Sequence, residues 1–142
     1  MAKKIIDLRF LFWVVAVLEF FYFLASMMPP RFVEPATGWV LSSDGHWITK
    51  LMGVALLTQA SIAWMFRNDP EIRVAKALAF YQVASATVDW TIWIIMAEDG
   101  IFNNSLAQST VLAAIISHYM VGILLIIGIY SHLNKMGSSL KV

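Results

Sequence analysis

Four long apolar runs, each bounded by polar or helix-breaking residues, organise this chain of 142 residues. They cover residues 8–28, 48–66, 77–96 and 109–130. Each is close to the ~20 residues that cross a hydrocarbon core about 30 Å thick. Backbone groups in lipid must satisfy one another, and so short a chain cannot close a barrel, so the runs predict helices. Pro29 and Pro30 interrupt the pattern after the first run because neither offers an N–H donor. Arg67-Asn68-Asp69-Pro70 closes the second run and Glu98-Asp99-Gly100 the third. Asn103-Asn104-Ser105 supplies capping side chains ahead of the fourth. The longest irregular stretch, residues 29–47, is expected to hold a short strand or interfacial turn around Phe32-Val33. The predicted fold is all-α: one membrane domain over residues 1–142, a four-helix bundle.

Composition agrees with the pattern. Apolar residues make up 60% and charged residues 13%, against about 45–50% and 25% in soluble domains. The basic residues fall unevenly. Lys3, Lys4, Arg9, Arg67, Arg73, Lys76, Lys135 and Lys141 share one side of the predicted bundle, and only Arg31 and Lys50 lie on the other. Acidic Glu34, Asp44, Glu98 and Asp99 accompany that second pair. The positive-inside rule then places both termini in the cytoplasm. Trp13, Trp47, Trp64 and Trp93 stand near span ends, where interfacial aromatics belong, and Trp39 sits in the first outer loop. The first run has a basic start, yet it is long, contains Glu19 and lacks a small-residue cleavage site, so it reads as a mature span. The expected location is a bacterial inner membrane, with multiple passes.

A net charge of +1 gives no nucleic-acid signal. The absence of cysteine excludes disulfides, thiolate metal sites and cysteine nucleophiles. The eight methionines are dispersed, which suits core filling better than a copper path. Asn103-Asn104-Ser105 also matches the glycosylation tripeptide.

Candidate chemistry comes from three ionisable residues inside the spans: Glu19, Asp89 and His118. Counted from the ends of the apolar runs at 1.5 Å per residue, each lies about 16–18 Å deep, near the midplane. Tyr81, Ser85 and Asp89 are spaced by four, with Gln82 beside them, and so share a helical face. Ala16, Glu19, Tyr22 and Ser26 form a similar stripe, as do Ala114, His118 and Gly122. Gly53, Leu57 and Ala60 do so on the second span, with Thr58 and Gln59 as its mid-depth polar groups. Charge at mid-membrane costs several kcal/mol, so such residues pair, neutralise or function. One reading is a structural network, a Glu19–His118 or Asp89–His118 bond that fixes helix register. The other is a site for a lipophilic ligand, with Glu19, Asp89 and His118 as acid–base groups and Tyr22, Gln59, Tyr81, Gln82, Ser85 and Trp90 around the ligand. Two acids and an imidazole suit isomerisation, cyclisation or hydration by proton transfer.

No metal is expected, because no local Glu-x-x-His motif accompanies these residues. No cofactor is specified. His118 is the one mid-span histidine, which leaves a bis-histidine haem without its second ligand. His46 is expected in the outer loop and His132 at the cytoplasmic edge. The expected partners are the lipid membrane and either a lipophilic small molecule or other membrane subunits, with a non-catalytic accessory subunit as the rival function.

Gly45-His46-Trp47, then Met52-Gly53-Val54-Ala55-Leu56-Leu57, then Ala63-Trp64-Met65-Phe66-Arg67 resembles the second-helix region of small bacterial membrane proteins of the DoxX-like kind. The resemblance covers residues 38–67. It implies a four-helix membrane bundle and carries over no catalytic residue.

Overall fold

A computed structural model describes residues 7–96 and 100–139. These residues form helices only: α1 (Leu8–Ser26), α2 (Pro30–Thr37), α3 (Ser43–Phe66), α4 (Ile72–Met96) and α5 (Ser105–Ser139). Helices α1, α3 and α4, and α5 over Ser105–Asn134, are long and apolar enough to cross a membrane. Lys3, Lys4, Glu98, Asp99 and Lys141 lie outside the described residues, as does the side chain of Lys135.

Several helix ends differ from the apolar runs. Helix α3 begins at Ser43 rather than residue 48, and α4 at Ile72 rather than 77. Helix α5 spans Ser105–Ser139 rather than 109–130, while α1 stops at Ser26, two residues short of the predicted end. Hydropathy marks the stretch that prefers lipid, whereas capping marks where the backbone ladder starts. The Ser42 side chain accepts from Gly45 N–H at 3.1 Å and opens α3. The Asn104 side chain accepts from Ala107 N–H at 2.9 Å and opens α5. Glu71 C=O accepts from Ala75 N–H at 2.9 Å, so α4 starts directly after Glu71.

The segment expected to hold a strand or turn at Phe32-Val33 is helix α2. Pro30 sits in its first turn, where a missing N–H costs nothing and the fixed φ favours the helix. The proline pair that ends α1 therefore starts α2. Gly38 closes α2 in a left-handed conformation at φ 74°. Asn104 Nδ2 donates to Gly38 C=O at 2.7 Å, so one side chain caps α5 and ties α2 to it. His46, expected in a loop, falls in the first turn of α3.

Helix α1 packs along α3, and α4 along α5. The two pairs join through α1 and α5, whereas α3 and α4 touch sparingly. Gly53 permits the α1–α3 approach, because a Cβ there would collide with Ser26 Oγ and Met27 Cε. Lys50 Nζ donates to Ser26 C=O at 2.6 Å and Met28 C=O at 2.5 Å, clamping the end of α1 to α3.

Two apolar clusters fill the interior. The larger joins Leu8, Leu11, Phe12 and Val15 of α1 to Ala63 of α3, Ala75 and Leu78 of α4, and Leu125 and Ile129 of α5. It marks the end of the bundle that holds the α3–α4 turn, and it shows the four long helices running alternately up and down. The smaller, at the α2 end, holds Ala86, Phe102, Val111 and Ile115, with Trp39, Trp93 and Tyr119 against it. No α1 or α3 residue belongs to it. The outer surface is apolar, with Phe21, Met65, Phe80 and Ile95 each more than 60% exposed. Arg9, Arg67, Arg73 and Lys76 lie at the turn end of the bundle, and Arg31 and Lys50 at the α2 end.

Candidate functional site

A polar layer separates the two clusters. Glu19 is wholly buried on α1, Gln82 wholly buried on α4, and His118 almost so on α5. Gln82 Nε2 donates to Glu19 Oε1 at 2.5 Å, and Gln82 Oε1 lies 2.6 Å from His118 Nδ1. An amide oxygen only accepts. His118 Nδ1 must therefore carry the hydrogen, which leaves Nε2 as the ring nitrogen for other partners. One glutamine thus links carboxylate and imidazole across three helices. His118 Nδ1 stands 4.0 Å from Glu19 Oε1 directly.

Aromatic groups enclose the imidazole. Tyr22 stacks on His118 with ring centroids 5.0 Å apart, and Tyr81 meets it edge-on at 6.4 Å. Tyr22 shares a hydrogen bond with Ser117 at 2.6 Å, a second tie between α1 and α5. Glu19 Oε2 has no hydrogen-bond partner among the described residues, although it is buried. Such an atom costs about 1–3 kcal/mol unless a proton or an outside donor satisfies it.

The structure thus brings Glu19, Tyr22, Tyr81, Gln82 and His118 into one cluster. It does not bring Asp89 into that cluster. The level of Glu19 and His118 is matched on α4 by Gln82, and Asp89 lies two turns further along, about 10 Å. The equal-depth count misplaced it because α4 begins five residues before its apolar run, at Ile72. Asp89 is half-buried and continues the inward stripe of α4 through Gln82, Ala86 and Trp93. Ser85 is half-buried between the two levels. Gln59 is half-buried on α3, outside the hydrogen-bonded network. Trp90 is 45% exposed and meets Trp93 edge-on at 5.5 Å. Among the described residues no three His, Asp or Glu side chains are grouped to hold a metal ion.

Ser117 was not among the sequence candidates. Its position beside His118 was visible, but nothing local marks a serine as the partner of a tyrosine on another helix. The linking role of Gln82 was equally hidden, since it depends on how three helices turn toward one another.

No family model, curated protein or solved structure matches this chain.

Proposed function

We propose that this chain is an integral, multi-pass protein of a bacterial inner membrane, of the DoxX-like kind, with both termini cytoplasmic. In this reading it binds a lipophilic ligand at the polar layer. The observation that carries the reading is the wholly buried Glu19 carboxylate with Oε2 unpartnered, held by Gln82 beside an imidazole whose Nε2 is left over. A purely structural tie would use up its acceptors. This one keeps two, among tyrosine rings that present flat apolar faces. The Glu19–Gln82–His118 chain also equips the protein for acid–base transfer on the ligand, because carboxylate and imidazole both exchange protons.

A second reading, a non-catalytic accessory subunit, draws on the same network. Glu19, Gln82 and His118 tie α1, α4 and α5 together, and polar ties of this kind fix helix register.

Purification in native lipid, followed by mass spectrometry of what accompanies the protein, separates the two. Ligand binding predicts a lipophilic species enriched over bulk lipid with the native protein and depleted in a folded Glu19→Gln variant. A stoichiometric membrane protein in its place, with the same bulk lipids in both samples, contradicts ligand binding and supports the subunit reading.

A further inference from the structure

Beyond the polar layer, toward α2, the bundle loses its common core. The smaller apolar cluster draws on α4, α5, the loop between them and Trp39 of the α2–α3 loop, and no residue of helix α1 or α3 joins it. The α1–α3 pair is instead held together by its own contacts, at Gly53 against Ser26 and through the Lys50 clamp. Asp89 belongs to this parted half. It lies on the inward stripe of α4, one turn from Ser85 on one side and one turn from Trp93 on the other.

The charge balance of the region is one-sided. Residues 10–26, 51–66, 77–96 and 105–134 contain no lysine or arginine. Lys50, at the border, spends its ammonium on two α1 carbonyls. Among the described residues the single ion-pair contact is His118 with Glu19, so Asp89 has no basic partner. In the polar layer below, Glu19 keeps a buried, unpartnered oxygen. A carboxylate deep in a membrane pairs with a cation or with a proton. Trp90 and Trp93, one and four residues after Asp89 on α4, add aromatic rings, whose faces attract an organic cation.

Resting on the ligand-binding reading above, we infer that the ligand is a lipophilic organic cation, seated where the two helix pairs part, with Asp89 as its counter-ion. The apolar body of the ligand lies between the α1–α3 pair and the smaller cluster. Glu19 lies deeper and contributes a second, weaker attraction. A hydrocarbon body with no charge would leave Asp89 to be neutralised by a proton alone, and an anion would be repelled by both acids when they are ionised.

The test uses the full chain in discs of zwitterionic lipid, with empty discs as the partition control. Tetraphenylphosphonium is the cationic probe, tetraphenylborate its anionic counterpart of the same shape, and triphenylmethanol a neutral alcohol. The expected result is saturable binding of tetraphenylphosphonium alone. Asp89→Asn should weaken it at least tenfold with the melting temperature held, and Asp89→Glu, which restores the charge, should recover most of it. Glu19→Gln should weaken it less. Equal binding by wild type and a folded Asp89→Asn variant overturns the assignment of the counter-ion, and so does comparable binding of tetraphenylborate. Saturable binding of triphenylmethanol alone overturns the cationic class but leaves ligand binding standing. No saturable binding of any probe overturns the cationic class, while the mass-spectrometric test of ligand binding is decided separately.

Discussion

The two ends of this bundle are built differently. At the turn end, four helices contribute to one apolar cluster, with alanines at 63, 75 and 79 letting the backbones close in. At the α2 end, α1 and α3 are fastened to each other by a lysine and a glycine contact, and α4 and α5 by an aromatic cluster. The polar layer of Glu19, Gln82 and His118 lies at the border. In lipid, apolar side chains gain little by leaving hydrocarbon for a protein interior, so close packing and hydrogen bonds decide which helices stay together. The contrast teaches where stability and function sit. The turn end holds the fold, and the α2 end is where the proposed ligand is seated.

The sharpest way to break this comparison is to cut the shared core. Phe12 is wholly buried there. Phe12→Ala should cost about 3–5 kcal/mol and lower the midpoint of thermal or denaturing-detergent unfolding for all four long helices together. Trp93→Ala, in the other cluster, should cost clearly less and leave the α1–α3 pair unchanged in hydrogen exchange. Equal losses from both substitutions would mean one continuous core.

The border layer comes next. Gln82→Leu removes the link and leaves both Glu19 and His118 buried without it, which should cost about 1–3 kcal/mol. Asp89→Leu removes a carboxylate that pairs with no base among the described residues, so it should leave stability near wild type or raise it. A melting temperature that falls as far for Asp89→Leu as for Gln82→Leu would place Asp89 in the structural network.

Smaller effects sharpen the picture of the parted end. Lys50→Met should release the last carbonyls of α1 and cost about 1–2 kcal/mol, seen as faster amide exchange near Met27 and Met28 with the shared core still protected. Asn104→Ala should cost about 1 kcal/mol through the lost cap of α5, and it should also loosen α2, because the same side chain holds Gly38.

The four long helices were legible in the sequence because the chain has unbroken apolar length in four places, enough in each to cross a membrane. Helix α2 was not legible. Its sequence, Pro-Arg-Phe-Val-Glu-Pro-Ala-Thr, reads as irregular, and its helix rests on Pro30 at the start, Gly38 at the end and the tie to Asn104. Glu19 and His118 stood out as ionisable residues in apolar surroundings, and their equal depth followed from counting. Asp89 appeared level with them only because Arg73 and Lys76 hid the first turn of α4 from a hydropathy count. Depth is a matter of counting along one helix. Azimuth, which made Gln82 the link and Ser117 the partner of Tyr22, depends on how several helices rotate against one another.

The central claim is that Glu19, Gln82 and His118 form one hydrogen-bonded layer that remains open to a ligand. Nitrogen-15 NMR of His118 in lipid discs tests it most directly, with the signal assigned by its loss in His118→Gln. The account predicts a neutral ring protonated on Nδ1, a clear change of that signal in Gln82→Leu, and a further change when a saturable ligand binds. A His118 signal protonated on Nε2 alone, and unmoved by either Gln82→Leu or ligand, would contradict it.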